Sequence, residues 1–319
     1  MDITHFSNPV FNADTADPTI WTDGNDYYLY YTNWWLSAPI YKSKDLIHWE
    51  NTNTHAVNEK TKQQLYKLAD EYKSDKCFYA PTVVKIGNSY NMYISVSWKC
   101  MVVLTSENVN GPFKFKNDEP YVLIDNNITG LNITNEDSCI AIDNGHIYLM
   151  WGSHGNLTKT ELQSDGLHLI ENAKFEHIAG DPENQYKVYE GLYAYKHGKY
   201  WYLFAASGQY NSYERPYNVV VGRSKSFDKP FRDKWGRKMA KGHASTILKP
   251  DSLDTYLGAG HTGEIFEDKD GKTYIAYQRQ EISTSKRPLF IQQIFWSKCG
   301  WPYFKNGGKT VMFEEMPNF

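Results

Sequence analysis

The chain has 319 residues, a net charge of −3 and 16% Phe, Trp and Tyr, with ten Trp and twenty-five Tyr. Both signs of charge read as scattered with no basic block, and no apolar run reaches the roughly 20 residues that cross a bilayer, which argues against nucleic acid and membrane as partners and for a neutral substrate. Cys77, Cys100, Cys139 and Cys299 show no CxxC spacing and read as buried thiols, neither a disulfide framework nor a metal–thiolate centre.

In chain order, the polar start Met1-Asp2-Ile3-Thr4-His5 is not a signal peptide, so the protein is expected to be cytoplasmic or to have lost a leader. Asp17-Pro18-Thr19-Ile20 opens a first strand, the turn Asp23-Gly24-Asn25-Asp26 follows, and Tyr27 to Tyr31 runs back. Trp34 to Pro39 reads as a loop. From Val57 to Lys76 the strand rhythm breaks: Leu65, Leu68, Ala69 and Tyr72 recur at helical spacing. This helix is expected to cap the outside of a blade, with a wall above a pocket as the second reading. The strand–turn–strand unit then returns four times. Its copies start at Ala80-Pro81-Thr82, Asp137-Ser138-Cys139, Glu190-Gly191-Leu192 and Gly260-His261-Thr262, and turn at Gly87, Gly145, Gly198 and Gly271. Asp125 to Glu136, punctuated by Asn and Gly, reads as a loop that delivers Asp137.

Five hairpin repeats at intervals of roughly 50–75 residues predict an all-β, five-bladed β-propeller, with one short helical insertion between blades 1 and 2 and a single domain spanning residues 1–319. The first strand of each propeller blade lines the central axis. Asp17, Asp137, Glu190 and His261 therefore fall at roughly equivalent positions around one mouth. Apolar residues would be the bland choice there, and converging titratable groups shift one another's pKa values, so the arrangement is costly unless used. Most of the aromatic residues are accounted for by blade packing. Tyr79, Trp98 and Trp34 stand near the same mouth and are candidates to stack on a sugar ring, Trp98 first.

The ordered set Ala16-Asp17-Pro18-Thr19-Ile20, Ala80-Pro81, Asp137, Glu190-Gly191 and Gly260-His261 resembles glycoside hydrolase family 43, whose five-bladed propellers cleave arabinosides and xylosides with inversion. The resemblance runs over essentially the whole chain, including Ser43 to Trp49 and Trp296 to Pro302. Tyr217 to Ser226, Pro230 to Gly236 and Gly258-Ala259-Gly260-His261 are most similar to the arabinan-degrading branch. Tyr79-Ala80-Pro81-Thr82 departs from that branch, which carries Trp-Ala-Pro-Asp or Glu, and a cysteine-bearing loop is absent before Tyr217.

The resemblance implies Asp17 as general base, Glu190 as general acid and Asp137 as the residue that tunes and orients the acid. The setting of Asp17 before Pro18 fits a fixed, solvated carboxylate. Arg287 resembles a position that reaches sugar hydroxyls, and His261 one beside a central ion or water, so a structural Ca²⁺ near the axis is expected while the chemistry needs no cofactor. The implied partner is plant cell-wall arabinan or an arabino- or xylo-oligosaccharide, with α-1,5-linked arabinan first and exo-acting α-L-arabinofuranosidase or β-xylosidase activity as the rival. A non-catalytic carbohydrate-binding propeller would have no need of three axial carboxylates. A fructan-cleaving propeller would need an Asn-Asp-Pro-Asn-Gly start, which Asn12 to Pro18 lacks.

Overall fold

The computed structural model describes residues 4–32, 36, 39–249 and 255–319. Trp34, one of the candidate sugar platforms, lies outside them. Five antiparallel sheets follow one another in chain order, each a meander whose innermost strand comes first. The inner strands are Thr19–Thr22, Phe78–Ile86, Cys139–Asp143, Tyr189–His197 and, in the fifth blade, Tyr256–Gly260 with Ile265–Glu267. Each turns at the expected glycine. Gly24, Gly87, Gly145, Gly198 and Gly271 all have φ between +56° and +92°, with open space where a Cβ would sit, so the requirement there is conformational and not one of packing.

The alternating aliphatic and aromatic residues of these strands bury both faces of each sheet against its neighbours. The core accordingly divides into five clusters, one at each junction between adjacent blades. The cluster joining Leu29 and Tyr27 of blade 1 to Tyr274 and Ile291 of blade 5 closes the ring. The first residues fasten that junction from outside. His5–Ser7 pairs with Phe313–Glu315, Phe11 bridges Leu289, and the buried Asn8 amide donates to the carbonyls of Ile291 (2.8 Å) and Val311 (2.9 Å).

Helix α1, Glu59–Glu71, forms where the spacing placed it, with the Asn58 side chain accepting from the Thr61 N–H (2.9 Å) at its N-cap. Leu65, Leu68 and Ala69 pack on the core between blades 1 and 2. The helix thus buttresses that junction and contributes nothing to the axial pocket. The stretch read as a loop from Asp125 to Glu136 holds a second, single-turn helix, α2 (Asn126–Thr129), capped by the Asp125 carboxylate accepting from the Ile128 N–H (2.6 Å) and ended by Gly130 at φ +68°. Its Asn and Gly residues are cap residues, a signal easily taken for a turn. Two of the four cysteines also depart from expectation: Cys100 and Cys139 are buried, Cys77 is half-buried and Cys299 is exposed.

Candidate active site

One backbone feature repeats at the same mouth of all five blades. Asp17 (φ +53°), Ala80 (+43°), Asp137 (+57°), Gly191 (+54°) and His261 (+47°) each adopt the left-handed conformation at or near the start of an inner strand. In blades 2, 4 and 5 this coincides with a break in register, between Tyr79 and Thr82, Glu190 and Tyr193, and Leu257 and Gly260. A non-glycine residue held there costs on the order of 1–3 kcal/mol, and bulges of this kind re-aim side chains that a regular strand would alternate between faces. The fivefold repeat of this left-handed residue, strained in the four blades where it is not glycine, turns Asp17, Tyr79, Asp137, Glu190 and His261 toward one space.

That space is a cavity of about 420 Å³ lined by the four residues expected on the axis, by Tyr79, Trp98 and Arg287, and also by Glu136, Ser153, His154 and Tyr217. Trp98 is 40% exposed and lies against Tyr79, their ring centres 5.8 Å apart and the planes 23° from parallel, so together they offer a flat apolar wall.

Asp17 is not the solvated carboxylate its sequence setting suggested: its side chain is only 12% exposed. Arg287 Nη1 and His261 Nδ1 each stand 3.2 Å from Asp17 Oδ1, the Thr32 hydroxyl donates to Oδ2 (2.6 Å), and Gln278 donates to Oδ1 (3.3 Å) while accepting from the Asp17 N–H (2.6 Å). Burial alone would push Asp17 upward, but Arg287, His261 and these hydrogen bonds outweigh it and hold the carboxyl below its ordinary range. Arg287 is thereby engaged with a carboxylate, in addition to lining the cavity where a sugar hydroxyl would lie.

Across the pocket the balance reverses. Glu190 accepts from the Ser153 hydroxyl at Oε2 and from the Tyr217 hydroxyl at Oε1, and His154 Nδ1 is 3.9 Å away. Asp137 Oδ2 accepts from the Gly191 N–H (3.0 Å), while Gly191 O accepts from the N–H (3.1 Å) and hydroxyl (2.8 Å) of Thr262, so one residue ties blades 3, 4 and 5 together. Burial, then repulsion from Glu136, Glu190 and Asp17, pushes Asp137 well above the usual carboxylate range. Glu136 is pushed up to about 7 by burial and by Glu190 and Asp17. Arg287 and His261 both face Asp17, so this side of the pocket holds several carboxyl groups that share fewer negative charges than their number.

Glu136, Ser153, His154 and Tyr217 were not singled out in the sequence. Each stands at the mouth end of a blade: Glu136 directly before an inner-strand start, Ser153 and His154 just after the second strand of blade 3 (His146–Trp151), and Tyr217 just before the third strand of blade 4 (Asn218–Ser224). Because successive strands alternate in direction, the loop joining second to third strands opens on the same mouth as the inner-strand start. Counting to the end of each aromatic run would have found Ser153 and His154, as it found Trp98.

His261 is buried, and burial pushes its imidazole below its ordinary range, so it is neutral at pH 7. A Ca²⁺ site takes six to eight oxygen ligands. Among the described residues no group of three His, Cys, Asp or Glu side chains gathers to hold a metal, so an ion beside His261 would have to be held chiefly through water. No step of the chemistry is assigned to an ion.

The fold and the cavity define a propeller whose axial pocket gathers four carboxyl groups and a histidine, one carboxyl held low by a cation and two pushed up by burial and mutual repulsion. Residues 6–302 match the family model for glycosyl hydrolases family 43, and the chain belongs to that family and is a glycosidase. It is 25% identical to an extracellular exo-α-(1→5)-L-arabinofuranosidase of Cellvibrio japonicus, over 91% of this chain and 86% of that protein. It is also 25% identical to an extracellular endo-α-(1→5)-L-arabinanase of Thermotoga petrophila, over 97% of this chain and 74% of that protein. The solved Cellvibrio cellulosa α-L-arabinanase complexed with arabinohexaose shares the fold, with a TM-score of 0.73 and 24% identity over 91% of this chain and 95% of that one.

Proposed function

We propose that the protein hydrolyses arabinose-containing plant polysaccharide or oligosaccharide with inversion, cutting α-1,5-linked L-arabinan. In this reading Asp17 is the general base. It takes a proton from a water whose oxygen attacks the anomeric carbon, while Glu190 donates its proton to the leaving glycosidic oxygen and the carbon–oxygen bond breaks. Ser153 and Tyr217, one hydroxyl on each Glu190 oxygen, orient the acid. Asp137, Glu136 and Glu190 form one crowded carboxyl cluster that holds protons in common, so the proton Glu190 delivers is a property of the cluster and not of one fixed negative charge. The observation that carries the reading is the asymmetry of the pocket: a carboxylate paired with a cation on one side and carboxyl groups crowded against each other on the opposite side. This is the division of labour a base and an acid need at one pH.

The arabinan preference is supported by the two 25% identical relatives, one exo-acting and one endo-acting by name, and by the flat Tyr79–Trp98 wall. The test is the product pattern from linear arabinan. A ladder of oligosaccharides marks endo action and arabinose alone marks exo action, while release from an aryl xyloside in preference to an aryl arabinofuranoside would replace the arabinan reading by a β-xylosidase.

A further inference from the structure

Net charge conceals one strongly uneven segment. From Arg223 to Lys241 the chain carries eight Lys and Arg against two acids, Asp228 and Asp233, although the whole molecule is at −3. The impression of scattered signs with no basic block fails here. One of the two acids is spent internally: Asp233 is 2% exposed and accepts from the N–H groups of Trp235 (3.0 Å) and Arg237 (2.9 Å) and from the Arg237 guanidinium (2.7 and 2.8 Å).

The fold concentrates the cations. Arg223 stands next to last in the third strand of blade 4, and the chain doubles back so that Arg232 exchanges backbone hydrogen bonds with it (2.8 and 2.9 Å). A cavity of about 420 Å³ results, lined by Arg223, Lys225, Lys229, Arg232 and Lys234 with the rings of Tyr200 and Trp301. Its floor is built: the Arg223 guanidinium sits 4.1 Å from the centre of Tyr200 and 4.3 Å from that of Trp301, and Nη1 donates to the Cys299 carbonyl (2.8 Å). Among the described residues Lys225, Lys229, Arg232 and Lys234 are exposed and form no ion pair. Trp235, 62% exposed, extends the surface with Lys234 and Arg237 at 4.4 and 4.9 Å from its ring.

The cavity is remote from the catalytic mouth. Tyr202 pairs with Arg223 near the turn end of blade 4, whereas Glu190 pairs with Ala206 at the mouth end, and the two cavities share no lining residue. Like charges held together cost stability unless a counter-charge arrives. Guanidinium forks match carboxylates, and aromatic faces beside them match sugar rings. A concave site in which the rings of Tyr200 and Trp301 stand among the cations fits a carboxylate-bearing sugar, which presents both a charge and a flat apolar face.

We propose that this cavity, on the face opposite the catalytic mouth between blades 4 and 5, is a second carbohydrate site that binds the carboxylate-bearing sugars of an acidic polysaccharide. It rests on the reading of the protein as a polysaccharide hydrolase, and it would tether the enzyme to an acidic chain while leaving the mouth free for neutral arabinosyl units.

The test is native affinity electrophoresis of the full chain through gels containing sodium polygalacturonate, linear arabinan or a short DNA duplex, run beside kcat/KM on an aryl arabinofuranoside. Polygalacturonate is expected to retard the wild-type protein, less so as NaCl rises. The double variant Arg232→Ala, Lys234→Ala should bind it at least tenfold more weakly with kcat/KM unchanged. Absence of retardation, equal retardation of the variant, or stronger retention by DNA than by polygalacturonate would each overturn the proposal. Polygalacturonate binding by a protein inactive on every arabinoside would leave the site standing and refute the proposed function instead.

Discussion

Replacing Arg287 with Met isolates what its charge does for Asp17. The pair is 3.2 Å apart with side chains 13% and 12% exposed, so screening by solvent is slight. At an effective dielectric of about 20, unit charges at that separation attract by about 5 kcal/mol. His261, Thr32 and Gln278 remain on the carboxylate in the variant, and water enters part of the vacated space, which leaves roughly half of that sum as the net loss. At about 1.4 kcal/mol per pKa unit, Asp17 should rise by about two units. The sign follows from the base having to be ionised. With its pKa held below 3.8, wild-type Asp17 is charged throughout the working range, and in the variant the acidic limb of kcat/KM should move up by about two pH units. The same depressed pKa contributes stability above pH 3.8 that is lost as pH falls through the folded value, and the variant should lack that contribution. The assay is kcat/KM against pH on an aryl arabinofuranoside. A fall in kcat/KM with the acidic limb displaced by less than about half a unit would refute the reasoning. Arg287 would then serve the substrate hydroxyls alone.

Gly191→Ala should be far more damaging than its size suggests, because the new Cβ would lie 2.7 Å from His261 Cα at φ +54°; a loss of activity of about 100-fold and of about 2–4 kcal/mol in urea unfolding is expected, and near-native values would contradict the geometry. Trp98→Ala should raise KM for arabino-oligosaccharides by about 3–10-fold with kcat little changed, as measured by steady-state kinetics, since the exposed ring supports no core. Glu136→Gln should stabilise the protein at alkaline pH. A carboxyl raised from 4.5 to about 7 favours the native state while protonated and opposes it increasingly as pH rises from 4.5 through 7. The variant's gain in Tm over wild type should therefore be larger at pH 8 than at pH 5, and an equal gain at both would show that Glu136 does not carry the proton. Glu264 and Glu314, also raised to about 7, titrate alike in both proteins and cancel in the comparison.

The parts of this protein legible in the sequence were those governed by local chemistry. The five turn glycines announce the hairpins because no other residue takes their φ so readily, and the aromatic alternation behind them gives the blade count. Helix α1 was legible from the spacing of Leu65, Leu68 and Ala69. Asp17, Asp137, Glu190 and His261 could be aligned because the repeat places them at the same step of each blade. What escaped were features made by contacts between distant segments. Glu136 looks like one more polar loop residue until the pocket closes around it, and Asp17 looks solvated until Arg287 and Gln278, some 270 residues on, are folded against it. The cation cluster escaped because whole-chain charge averages over a block of nineteen residues, and the single-turn α2 because its cap residues are also turn residues.

The most direct measurement of the central claim is a time course of soluble products from debranched linear arabinan, run with the wild-type protein and with Asp17→Asn and Glu190→Gln. Wild type is expected to release arabino-oligosaccharides or arabinose, and each variant to do so about 100- to 10,000-fold more slowly, the contribution typical of a positioned acid or base. No release by wild type from arabinan, or release undiminished when either carboxyl is replaced, would contradict the account.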